Sequence, residues 1–240
     1  MQRKIITTAD GSKTIQIEEW NEQYHSVHGA IQEANHVYIK QGLLFCFDIQ
    51  NTSQESIDTT ETSANSSRKL SILEIGFGTG LNAFLTLLQA DEHQIDVRYV
   101  GVEAFPISPD EMAALNYTEQ LEVSGKNAHF KAMHNIAWEN DTRLTPYFSL
   151  QKQQKLFKDI TDTNQFDLIY FDAFGARVQP ELWTESIFQI MFDALKEKGV
   201  LVTYAAKGSV RRAMQAVGFN VEKLPGPPGK REMLRARKGS

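Results

Sequence analysis

"ILEIGFGTGLN" occupies residues 72–82. An apolar run interrupted by Glu74 ends at Ile75, and glycines follow at alternate positions, Gly76, Gly78 and Gly80. The run reads as a buried strand and "GLNAFLTLLQAD" as a helix, so the glycines form a strand-to-helix turn. Glycine reaches positive φ without strain and lets a ligand or another backbone approach closely. Three glycines in five positions carry a large ordering entropy, about 1 kcal/mol each, which argues for a turn that holds something.

Outward from this turn, strand-like and helix-like segments alternate. "DVRYVGVEA" predicts a strand, and "SPDEMAALNY" opens a helix with Ser108 and Glu111 as a capping box. "AHFKAMHN" is read as a strand and "FDLIYFDAF" as a strong buried one. "TESIFQIMFDALKEKG" predicts a helix from Thr184 to a stop at Gly199. "VLVTYAA" predicts a strand, "GSVRRAMQAVGF" a helix, and "NVEKLPGP" with "REMLRARK" a closing antiparallel pair. This order predicts a mostly parallel, seven-stranded Rossmann-like sheet with helices on both faces and a C-terminal antiparallel hairpin.

Before the turn, "KIITTADGSKTIQIEE" reads as two strands joined at Asp10-Gly11. Val27, Ala30, Ile31, Ala34, Val37 and Tyr38 recur at helical spacing, with Gly42 as the predicted stop and "LLFCFDI" as a short strand. Residues 50–69 are rich in Ser, Thr and Asn and read as a flexible loop. The expected organisation is a hairpin-and-helix extension over 1–49, the loop over 50–69 and a Rossmann-like domain over 70–240.

The glycine spacing is G-x-G-x-G, with an acid two positions ahead, not the G-x-G-x-x-G of a dinucleotide site. A carboxylate beside the loop disfavours a pyrophosphate. It suits S-adenosylmethionine, which has no phosphate and carries an α-amino group and a sulfonium. On this reading Glu74, Gly76, Phe77, Gly78, Thr79 and Gly80 form the cofactor loop, and Asn82 reaches the methionine carboxylate. Glu103, at the end of the next strand, takes the ribose hydroxyls. The combination predicts a class I S-adenosylmethionine-dependent methyltransferase. Asp172 ends the fourth parallel strand, at the rim facing the methyl donor. A buried acid there needs a cationic or hydrogen-bonding partner. Asp167, five positions earlier, is read as structural, and Phe174 as a wall of the pocket.

The chain is 41% hydrophobic and 23% charged, an ordinary globular composition. It has no apolar run of the roughly 20 residues that cross a bilayer and no N-terminal signal pattern, so no membrane partner and a cytoplasmic location are expected. The one cysteine, Cys46, excludes an intrachain disulfide, and the spacing of His25, His28 and His36 fits no usual zinc pattern, so no metal is expected. Net charge is −5, yet residues 196–240 hold eleven Lys/Arg against three Asp/Glu. Such asymmetry marks a basic footprint.

"ILEIGFGTGLNAF", "DLIYFDAF…QPELWT", "GVLVTYAAKGSVRRAMQAVGF" and "LPGPPGKREMLRA" together resemble the methyltransferase domain of the MnmC family of bacterial tRNA-modifying enzymes. "YHSVHGAIQEANHVYI" resembles that family's N-terminal helix segment. The chain lacks the length for the flavin-dependent oxidase half of the bifunctional form, so the resemblance is to the stand-alone type. It implies N-methylation of the 5-aminomethyl group of wobble uridine 34, giving 5-methylaminomethyl-(2-thio)uridine. The partner is then the anticodon arm of tRNA, and a separate enzyme supplies the aminomethyl intermediate. The family's D-G/A-F aspartate falls on Asp172, the catalytic base; Ala173 stands where many relatives have Gly. Glu33 is a candidate for closing the site. Lys207, Arg211, Arg212, Lys230 and Arg231, with Arg235 and Arg237, are candidates for phosphate contacts. The competing readings are a small-molecule amine methyltransferase and an aminopropyltransferase-like enzyme, which shares the loop architecture.

Overall fold

The computed structural model describes residues 2–49 and 69–239. The loop expected over 50–69 falls outside the described residues except for Lys69, which opens a strand.

The described residues form two sheets. The small one is antiparallel, β1 (Arg3–Thr7), β2 (Lys13–Ile17) and β3 (Glu22–Gln23), with the first two strands joined at Asp10-Gly11. The large one contains β4 (Lys69–Ile75), β5 (Asp96–Val102), β6 (Asp141–Thr145), β7 (Phe148–Gln153), β8 (Phe166–Phe171), β9 (Leu195–Thr203), β10 (Phe219–Pro225) and β11 (Glu232–Lys238). Its order is β10-β11-β9-β8-β4-β5-β7-β6. The five strands from β9 to β7 are parallel; β6, β11 and β10 are antiparallel additions. The predicted α/β class and the closing hairpin are borne out. The sheet has eight strands rather than seven, because β6 adds an antiparallel edge.

The helices are α1 (Ala30–Ala34), continued by a π-helical stretch over Asn35–Leu44, then α2 (Leu81–His93), α3 (Pro109–Ala114), α4 (Tyr117–Gln120), α5 (Asn127–Asn135), α6 (Glu185–Ala194) and α7 (Gly208–Ala216). The capping box at α3 is complete, with Ser108 Oγ accepting from the Glu111 N–H and Glu111 accepting from the Ser108 N–H.

Strand parity explains the two cores. Leu70, Ile72, Leu168 and Tyr170 belong to one cluster, with α1, its extension and α2; Leu73, Ile75, Ile169 and Phe171 belong to the other, with α6 and α7. Side chains alternate along a strand. Glu74 and Asp172 therefore share the α1/α2 face, where Tyr38, Tyr99 and Tyr170 also gather, with Tyr38 and Tyr99 5.2 and 6.0 Å from Tyr170 between ring centroids.

Four local expectations are corrected. "LLFCFDI" is helical, not a strand: a short apolar run fits either element, and here Leu43 and Cys46 are buried against the sheet. Gly42 does not stop the helix; it lies inside it, where a Cβ would stand 3.1 Å from both Tyr170 and Val202. "AHFKAMHN" is α5, with Phe130 and Met133 buried at helical spacing, and the strand beside β5 is β7, whose burial alternates strictly. Helix α6 also ends at Ala194, five residues before Gly199, because Leu195 already begins β9.

Candidate active site

The carboxyl ends of β5, β4, β8 and β9 lie side by side, and the connection order reverses at β4, which is where open α/β sheets bind ligands. Glu103, Gly76, Asp172 and Tyr204 follow these strands and line one cavity of about 810 Å³. The small sheet covers it. Arg3 donates to the carbonyls of Phe105 (2.9 Å) and Pro106 (3.2 Å) and pairs with Glu111, while Arg177 binds Glu22 at 2.6 Å. Trp20 and Tyr24 thereby reach Phe174, with ring centroids 5.6 and 5.0 Å away in edge-to-face geometry.

The glycine loop is tightly determined. Gly76 has φ +88°, and a Cβ there would lie 2.6 Å from the Asp172 carbonyl oxygen. Asp172 donates its N–H to the Ile75 carbonyl at 2.9 Å, so the two strand ends touch. Gly78 has φ +50°, faces the Tyr24 ring, and donates its N–H to Glu103 Oε2 at 3.0 Å. Glu103 Oε1 accepts from the Phe105 N–H at 2.9 Å, which fixes the carboxylate at the cavity wall.

Other loop residues face inward. Thr79 is buried, bonded to His25 Nε2 (2.7 Å) and to the Tyr117 hydroxyl (3.0 Å). The Phe77 ring packs on Gly101 and His134, and Gly80 precedes α2 at φ +72°. Glu74 and Asn82 lie directly below the cavity rather than on its wall. Asn82 Nδ2 donates both to Glu74 Oε1 (2.9 Å) and to Asp172 Oδ2 (2.8 Å), while Glu74 Oε2 and Asn82 Oδ1 have no partner among the described residues. Each such buried orphan costs roughly 1–3 kcal/mol. Burial pushes the Glu74 carboxyl well above the carboxylate range.

Asp172 is half-buried, and its carboxyl is pushed up to about 7 by burial first, with the nearby Glu33 charge adding to the rise. Asn82 and Lys230 oppose the rise. The Tyr38 hydroxyl is close and opposes it too, although it meets no partner in hydrogen-bond geometry. Glu33 is buried on the cavity wall; it accepts from the Ser26 N–H at 3.2 Å and from Lys230 Nζ at 2.5 Å.

The structure therefore brings Gly76, Phe77, Gly78, Glu103, Asp172, Phe174, Glu33 and Lys230 to one cavity. It leaves Lys207, Arg211, Arg212 and Arg231 outside it, on α7, the turn before it and the β10–β11 loop. Lys207, Arg212 and Arg231 are exposed. Arg235 is corrected: it is buried over the Phe45 ring and bonded to Glu222 at 2.6 Å, a packing role and not a phosphate contact. Tyr24, Trp20 and Tyr204 were missed. Tyr204 follows β9 just as Asp172 follows β8, so the strand-end rule alone would have found it. Nothing local in the sequence announces Trp20 or Tyr24, which arrive through the docking of the small sheet.

Among the described residues no helix is long and apolar enough to cross a membrane, and no group of three potential metal ligands occurs. Bare glycine backbone with the Glu103 carboxylate on the cavity wall suits a ligand bearing hydroxyls or a positive charge better than a phosphate.

The chain is similar to known proteins over most of its length. The bifunctional protein MnmC of Hydrogenovibrio crunogenus, named for tRNA 5-methylaminomethyl-2-thiouridine biosynthesis, is 28% identical over 230 residues, covering 91% of this chain and 32% of that protein. The chain thus spans about a third of that relative's length. The crystal structure of MNMC2 from Aquifex aeolicus superposes with a TM-score of 0.70 at 26% identity, over 98% of this chain and 70% of that one. Spermidine synthase from Thermotoga maritima shares the fold alone, with a TM-score of 0.54 at 14% identity over 99% of this chain and 69% of that one. A family profile matches residues 120–239, which hold β6 through β11 and thus the Asp172 strand end, and the chain belongs to that family, the S-adenosyl-L-methionine-dependent methyltransferases.

Proposed function

We propose that this chain methylates the 5-aminomethyl group of wobble uridine 34 in tRNA, using S-adenosylmethionine, to give 5-methylaminomethyl-(2-thio)uridine. The observation that carries the reading is Asp172: a carboxyl held near neutrality beside the glycine loop, in a chain similar to proteins named for 5-methylaminomethyl-2-thiouridine biosynthesis. The cavity volume suits a cofactor and a flipped nucleoside together.

The residues fit the cofactor. Bare backbone at Gly76 and Gly78 leaves room for the nucleoside, and Glu103, at the end of β5 beside the loop, is assigned to its ribose hydroxyls. Bound there, S-adenosylmethionine supplies an activated methyl group on a sulfonium. The chain supplies position and proton transfer. Asp172 accepts one proton from the substrate ammonium, leaving the neutral amine with its lone pair free. With the donor bound, methyl transfer to this nitrogen would release the demethylated donor and leave a secondary ammonium as product. Most of the rate comes from alignment of the two reactants. Phe174, Trp20 and Tyr24 offer aromatic edges and faces for a splayed base. Lys207, Arg211, Arg212 and Arg231 are assigned to anticodon-arm phosphates, and a separate enzyme supplies the aminomethyl group.

The test is incubation with methyl-labelled S-adenosylmethionine and tRNA from a strain lacking the modification. Label enters tRNA and no free alkylamine is labelled. Label in a free amine without tRNA supports the small-molecule reading instead.

A further inference from the structure

The Lys230 ammonium occupies an unusual place. It lies 2.5 Å from Glu33 Oε2 and 3.9 Å from the centroid of the Tyr204 ring, in the same cavity as Asp172. Glu33 is buried and anchored by the Ser26 N–H. The Tyr204 ring is fixed by its hydroxyl, which donates to the Ala173 carbonyl at 2.8 Å. A buried carboxylate and an aromatic face thus hold this cation directly, with the Asp172 carboxyl lining the same cavity, a composition that suits an organic ammonium. The other cations on the cavity wall do not serve it: Arg3 is engaged with Phe105, Pro106 and Glu111, and Lys158 is exposed.

We propose that Glu33, Asp172 and Tyr204 form a box for a primary ammonium and that Lys230 is its resident occupant, a tethered cation that leaves when the substrate ammonium enters. The identity of the natural ammonium rests on the reading above; the box itself does not. An empty box would leave the buried Glu33 carboxylate without its counter-charge and beside a second carboxyl, which is costly at such burial. Lys230 removes that cost in the free protein. Its departure needs only side-chain rotation. The side chain is 30% exposed, and the turn that carries it is closed by its own backbone, Lys230 N–H to the Pro227 carbonyl (2.9 Å) and Gly226 N–H to the Arg231 carbonyl (3.1 Å). Gly229, at φ +82° against the His28 ring, sets the turn so that Lys230 points inward. A tethered competitor also confers selectivity, because a ligand must offer a better cation than the one already present.

The probe is methylammonium, titrated into the full chain without tRNA or cofactor and followed by NMR of the ¹³C-labelled methyl group. Lys230→Met is expected to bind it at least about tenfold more tightly than the wild type, since the tethered competitor is gone. Adding Glu33→Gln to Lys230→Met abolishes the gain, and tetramethylammonium, which has no N–H, gains less than methylammonium. Equal affinity in wild type and Lys230→Met overturns the proposal, as does a gain that survives Glu33→Gln. If Lys230→Met does not fold, the wild-type chain with ¹³C-labelled lysine answers the same question. The Lys230 ε-carbon resonance moves toward that of a free lysine as methylammonium replaces sodium at constant ionic strength; a resonance that stays put overturns the idea. Ammonium binding without any methylation of tRNA would sink the proposed function and leave the box standing.

Discussion

At Asp172, burial and charge make a prediction about stability as well as chemistry. The folded carboxyl stands at about 7, against roughly 3.9 in an unfolded chain. Between these values the folded state binds more protons than the unfolded one, so stability falls as pH rises through the window. Asp172→Asn removes the ionisation. It is expected to raise stability by about 1–2 kcal/mol above pH 7, discounted for partial solvent access, and to change it little near pH 4. Thermal melts at the two pH values measure this. The same variant retains cofactor binding and loses most turnover; loss of binding instead would move Asp172 into the cofactor's own contacts. On the proposed mechanism the ionised carboxylate is the base, so the single-turnover rate is expected to rise with pH to a plateau above about 7. Glu33→Gln removes a like charge and shifts that limb to lower pH. An unshifted limb would mean that Glu33 does not act on Asp172.

At the scale of elements, the closeness of β4 and β8 is what makes the site. Gly76→Ala places a methyl group against the Asp172 carbonyl at a positive φ, so about 1–3 kcal/mol of destabilisation is expected, together with weaker donor binding. Gly42→Val is the control. It crowds Tyr170 and Val202 in the core and should cost about 1–3 kcal/mol while leaving donor affinity per folded molecule unchanged. Urea titration and calorimetric binding separate the two. Both acids could be read from the sequence here because strand parity is simple: in "ILEIG" and "IYFDAF" the even positions hold Ile72 and Glu74, and Tyr170 and Asp172, on one face. What parity cannot give is depth. Glu74 and Asn82 are expected to meet the cofactor, yet neither lines the cavity, and Asn82 bridges Glu74 to Asp172 beneath it. Their roles depend on how α2 sits on the sheet, a packing outcome that no local spacing encodes.

Over the whole molecule, part of the basic C-terminal charge is neutralised within the fold. The basic C-terminal region was visible as a count, but the count overstates the free charge. Lys196, Lys223, Arg235 and Lys238 pair with Asp167, Glu222, Glu232 and main-chain carbonyls. Lys207, Arg211, Arg212 and Arg231 form no ion pair with any described residue, so tRNA binding should rest on a few contacts. Reversing Arg211 and Arg212 to Glu is expected to weaken tRNA affinity and to reduce the salt slope by about one to two, with donor affinity unchanged. Filter binding across a salt series tests this, and an unchanged slope would remove α7 from the interface. The roof was invisible for a related reason. Arg3, Trp20 and Tyr24 reach the site only because the small sheet docks over strand ends far away in sequence.

The most direct test of the central claim is nucleoside mass analysis of undermodified tRNA after incubation with S-adenosylmethionine and this chain. The account predicts that the 5-aminomethyl wobble nucleoside becomes one methyl group heavier at its side-chain nitrogen, and that Asp172→Asn, though it binds the donor, leaves it unchanged. A wobble nucleoside untouched by the wild-type chain, or a methyl group found on another nucleoside, would contradict it.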